Sequence, residues 1–206
     1  MSAQQIILQH NRESLLITNR ALGIVGMILS PMLYFTTFFH ASEFDNPSPY
    51  PFMTSLGGIL YLLGAALSAT AMRNLRVTGS GRGAGVLYTV QMIGLFLAMG
   101  FDVFQYVAPH LRGTSALFFI TDMAYPFSHV LMIVVGVAVV RAGIWRGWRR
   151  IPAFLVGSAL PLFFGASALF GRVDSSYIFP VFVTLGFFLL GCAVATTETG
   201  SEAKYE

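Results

Sequence analysis

Charge is scarce in this chain. Only 10% of its 206 residues are Asp, Glu, Lys or Arg, four are histidine and one, Cys192, is cysteine. So little charge excludes an ordinary soluble domain, which at this length needs far more polar surface to cover its core. A single cysteine excludes an internal disulfide, and Cys192 lies in an apolar run where it reads as a small hydrophobe. No His-x-x-x-His or His-x-x-Glu-His pair occurs, so a zinc-hydrolase signature is missing. No contiguous basic and aromatic patch lies outside the apolar runs, which leaves no nucleic-acid partner to expect.

Apolar sequence is abundant instead. Hydrophobic residues make up 55% of the chain, and its mean hydropathy is +0.71. A helix crossing the hydrocarbon core of a bilayer needs roughly 20 predominantly apolar residues. Six stretches meet that length, at about Ala21–Ala41, Pro51–Met72, Ala84–Ala108, Ala116–Val140, Ile151–Gly171 and Tyr177–Thr197. They are continuous rather than alternating, which excludes a transmembrane barrel. A spanning chain must satisfy its backbone internally, so the expected fold is all-α, a polytopic bundle of six transmembrane helices. Residues 1–20 are expected as an N-terminal interfacial segment, 21–197 as the membrane domain and 198–206 as a polar tail. The first residues do not resemble a cleaved signal peptide.

Basic residues set the expected orientation. Counted through the six spans, ten of the twelve Lys and Arg fall on one side, leaving only Arg112 and Arg172 on the other. By the positive-inside rule both termini are cytoplasmic, in the inner membrane of a cell with compact loops. The expected partners are the lipid bilayer and a membrane-protein partner or second copy. Small residues four apart, such as Gly64 with Ser68 and Gly94 with Ala98, permit close helix packing. Trp145 and Trp148, set among arginines, read as interfacial anchors. The Gly79–Gly83 segment lacks the Gly-Lys-Ser/Thr ending of a phosphate-binding loop and reads as a connector.

Two aspartates break the apolar pattern. Asp102 and Asp122 lie in the third and fourth runs, each about five residues from the shared outer loop, or roughly 7–8 Å deep. An ionisable residue in hydrocarbon faces a partner or a wet cavity and marks a functional site by default. Gln105 and Tyr106 share a face with Asp102; Tyr125 and His129 share one with Asp122. His40 ends the first run on the same side. The candidate ligand-binding set is therefore Asp102, Asp122, His129, Gln105, Tyr125 and His40, lining an outward-facing intramembrane pocket.

The expected function is binding or translocation of a small ligand or cation, with His129 available to relay protons. Alternatives are a non-catalytic subunit packed against partner proteins and a metal-dependent intramembrane hydrolase using His40, Asp102, Asp122 and His129. Haem or quinone binding through His40 and His110 is a further reading. Residues Met99-Gly100-Phe101-Asp102 lack the Gly-x-Gly-Asp pattern of intramembrane aspartyl proteases. No catalytic residue is assigned, no metal site is assigned, and the cofactor is unknown.

Overall fold

The computed structural model describes residues 3–34, 52–111, 113–170 and 175–197. Among them there is no strand. Six helices occur: α1 (Ala3–Leu29), α2 (Phe52–Asn74), α3 (Arg82–Val107), α4 (Ala116–Ala142), α5 (Ile151–Phe170) and α6 (Ser175–Ala195). Five helical segments are long and apolar enough to cross a membrane, and α6 contributes a shorter apolar stretch, Phe179–Ala195. The chain is thus a multi-pass membrane protein by length and composition. His40, the expected outer loop Ser42–Tyr50 and the tail from Glu198 lie outside the described residues.

Local chemistry explains several helix ends. Ser115 caps α4, its hydroxyl accepting from the Phe118 amide at 3.1 Å. Gly143 closes the same helix with φ of 70°, the left-handed geometry that glycine adopts without a Cβ penalty. The last carbonyls of α6 receive two arginines from elsewhere: Arg20 Nε donates to Ala195 O at 3.2 Å and Arg149 Nη2 to Thr196 O at 2.9 Å. These side chains satisfy orphan acceptors and place positive charge at the negative end of the helix.

The helices form a closed ring in chain order. Each packs on its sequence neighbours, α1 returns to α6, and α2 also touches α6 across the interior. Neighbours run antiparallel, as Asn74 Nδ2 donating to Asn19 Oδ1 shows for α1–α2, and Phe52 packing on Tyr106 shows for α2–α3. Lipid tails give helices no hydrophobic reason to associate, so close backbone packing has to hold such a ring. A glycine lies in every seam. A Cβ on Gly64 would meet Leu29 at 2.9 Å, on Gly94 Ser128 at 3.2 Å, on Gly157 Ile133 at 2.5 Å and on Gly186 Val156 at 2.5 Å. Gly58 lies directly on Asp102, and Gly191 and Gly23 abut backbone at the closing seam. The inward faces bury Tyr61, Leu95, Met132, Val156, Phe187 and Leu190, while Phe96, Ile120, Met123, Phe164 and Leu169 face outward.

Two features differ from the sequence expectation. The first helix is continuous from Ala3 to Leu29, and its apolar span begins at Glu13 rather than at Ala21, because Leu15–Ile17 extend the apolar run. Trp148 is exposed, whereas Trp145 is 1% exposed and packs in the core. The turn of four residues that follows, Gly147–Arg150, brings Arg150 Nε back to donate to the Trp145 carbonyl at 2.5 Å.

Candidate functional site

The structure divides the candidate residues into two groups stacked along the bundle. The upper group belongs to α2 and α3. Asp102 is 5% exposed and Gln105, one turn further along α3, is 3% exposed. Asp102 faces α2: a Cβ on Gly58 would lie 2.5 Å from Asp102 Oδ2 and 2.7 Å from its Cγ. The antiparallel register that sets Gly58 against Asp102 and Phe52 against Tyr106 brings Thr54 and Ser55 to the level of Gln105. Four oxygens here are buried without a hydrogen-bond partner among the described residues: Thr54 Oγ1, Ser55 Oγ, Asp102 Oδ2 and Gln105 Oε1. Interiors rarely leave such groups unpaired, since each costs about 1–3 kcal/mol, and more when charged.

The lower group centres on His129, which is fully buried on α4. Its Nδ1 lies 2.7 Å from the Tyr125 carbonyl, which can only accept, so Nδ1 carries the hydrogen. Nε2 then accepts from the Tyr61 hydroxyl at 2.6 Å. Tyr125 stacks on the imidazole at 4.6 Å between centroids, and Phe179 and Phe187 of α6 close the cage. Pro126 follows Tyr125 inside α4, where its ring removes one helical donor. Both imidazole nitrogens are engaged, so His129 is a hydrogen-bonded core histidine.

Below it, Gln91 of α3 donates to the Ser128 carbonyl at 3.1 Å, and its Oε1 has no partner. Gln91 borders a cavity of about 30 Å³ that Arg73, Thr78 and Tyr88 also line. That volume admits a water molecule, which needs about 10–15 Å³ measured this way. Arg73 further lines an open cavity of about 540 Å³ with Leu15, Asn74, Arg76, Gly79, Ser80 and Gly81. Polar side chains therefore recur along the α2–α3–α4 seam from Thr54 to Arg73.

Asp122 stands apart from both groups. It is half-buried on α4, and no hydrogen bond joins it to Asp102 or His129. The antiparallel register that sets Gly100 against Thr121 and Gly94 against Ser128 puts Asp102 level with 119–120, so Asp122 lies two to three residues deeper, and Asp102 turns into the α2 seam. His110 is exposed in the turn after α3. Among the described residues, no three His, Cys, Asp or Glu side chains gather closely enough to hold a metal ion. No family model matches the chain, and neither does any curated protein or solved structure.

Thr54, Ser55, Gly58 and Tyr61 escape a reading of the sequence alone. Hydroxyls and glycines are ordinary in membrane helices, and only the α2–α3 register gives these their place. Replacing Tyr61 with Phe tests the lower group. It leaves Nε2 buried without a donor, and the unfolding free energy should fall by about 1–3 kcal/mol. A Tyr61→Phe chain whose thermal midpoint equals that of the parent would show that the bond contributes nothing.

Proposed function

We propose that this chain is a six-span protein of the cytoplasmic membrane, with both termini inside, that binds or passes a small ligand or cation. The binding pocket opens toward the outer face. The reading is carried by one observation: a carboxylate at position 102 is 5% exposed, within a membrane helix, with an oxygen that no side chain satisfies. Keeping such a group is costly unless something binds it. The seam below adds support, because Tyr61, His129 and Gln91 extend polar chemistry toward the opposite end. Proton-linked passage would use that seam, with the Tyr61–His129 bond exchanging partners as a proton moves.

The arginines support this orientation. The antiparallel ring gathers Arg20, Arg73, Arg76, Arg82, Arg141, Arg146, Arg149 and Arg150 at one end, and the positive-inside rule favours the cytoplasm for such an end. The upper group lies at the other end.

A thermal-midpoint screen of the purified protein tests the proposal. Inorganic cations, small ammonium ions and pH are varied for the parent, Asp102→Asn and Asp122→Asn chains. At least one condition should stabilise the parent and leave Asp102→Asn unmoved, with a smaller loss at Asp122→Asn. A flat response of all three chains to every probe would remove the pocket.

A further inference from the structure

Resting on the pocket reading, we infer that Thr54, Ser55, Asp102 and Gln105 form a site for a small monovalent cation, sodium. All four residues are at least 95% buried, each holds an oxygen with no hydrogen-bond partner among the described residues, and the register that sets Gly58 against Asp102 brings them to one level of the α2–α3 pair. Asp102 and Gln105 are i and i+3 on α3; Thr54 and Ser55 precede Gly58, the residue facing Asp102, by one turn on α2. Carboxylate, amide and hydroxyl oxygens are hard ligands, suited to alkali and alkaline-earth ions and poor for soft metals.

Charge selects among the hard ions. Among the four residues of this site only Asp102 brings a formal charge, so one monovalent cation gives a neutral site. A divalent ion would leave an uncompensated positive charge inside the bilayer, which is costly. Helix dipoles do not alter the sign, because the positive end of α2 and the negative end of α3 meet at this level and offset. Size selects next. Gly58 has no room for even a methyl group against the carboxylate, so α2 and α3 approach closely here and favour sodium over potassium. Binding would join α2 to α3, coupling the ion to the packing of the ring.

The experiment measures ²²Na⁺ binding to the purified chain in choline buffer, alongside thermal midpoints in sodium, potassium, magnesium and choline chlorides at equal ionic strength. Saturable binding is expected, with sodium raising the midpoint more than potassium or magnesium. Asp102→Asn should abolish both signals. Thr54→Val, which keeps shape and removes one oxygen, should weaken binding about tenfold while the chain remains folded in choline, so an unfolded Asp102→Asn chain would not obscure the result. Absence of sodium binding, equal effects of potassium, or an unchanged Thr54→Val chain would overturn the sodium site. If an ammonium probe or pH then still stabilises the parent and not Asp102→Asn, the pocket stands without sodium. If nothing does, both fall.

Discussion

Replacing Gly191 with leucine should abolish the folded bundle. A Cβ at this position would lie 2.7 Å from the Gly23 carbonyl oxygen and 2.7 Å from the Met27 amide nitrogen, both backbone atoms of α1. Backbone cannot rotate away as a side chain can, so the clash forces α6 off α1. The reciprocal position shows the same fit, since a Cβ on Gly23 would lie 2.8 Å from the Ala195 amide nitrogen. This seam closes the ring and joins its first helix to its last. Opening it would also move Arg20 away from the α6 carbonyl it caps. Overpacking typically costs about 1–3 kcal/mol, and more where the backbone must shift. Size-exclusion chromatography in detergent should show aggregate in place of the monodisperse parent peak. Gly81→Leu, at a site with nothing within 4 Å of the added Cβ, should elute with the parent.

Asp102→Leu should have the opposite effect on stability and a severe one on binding. Leucine branches at Cγ as aspartate does, so it fills the same place beside Gly58. It also removes a buried carboxylate whose Oδ2 has no partner. Exchanging a buried unpaired polar group for an apolar one of similar shape is neutral or stabilising. In sodium-free choline buffer the Asp102→Leu chain should melt at or above the parent temperature, yet show no cation-dependent shift. A stability gain joined to loss of binding is the signature of a residue retained for function. A lower midpoint in choline would assign Asp102 a structural role.

The parts of the fold that depend on neighbouring residues were legible in the sequence. Apolar runs located α2 to α6 within a few residues at most ends, because each helix satisfies its own backbone and lipid demands continuous hydrophobicity. The pairing of α1 with α6 was not legible, since nothing near Gly23 signals Gly191, a partner 168 positions away (191 − 23). Gly64 and Gly94 were readable as packing positions, and they pack within the chain, on α1 and α4.

The site was legible where charge marks it. Asp102 and Gln105 stood out as polar residues in an apolar run, and the structure buries both and sets Asp102 against α2. Which way each aspartate turns, and the register of α3 on α4, are not given by sequence depth; Asp122 lies two to three residues deeper than Asp102 and shares no hydrogen bond with it. His129 and Tyr125 do share a face, but Tyr61 arrives from another helix and completes the imidazole's bonding. Thr54 and Ser55 carried no signal until the α2–α3 register placed them beside Gln105.

One measurement tests the pocket most directly. Cys192 is the single cysteine, so a Cys192→Ser chain provides a thiol-free background. Ser55→Cys in that chain places a thiol among the unpartnered oxygens at nearly constant volume. In right-side-out vesicles, a membrane-impermeant cationic thiosulfonate should modify the introduced thiol from the outside, and sodium should slow the reaction relative to choline. Modification only from the cytoplasmic side, or none in a folded chain that reacts fully once denatured, would contradict an outward-opening site.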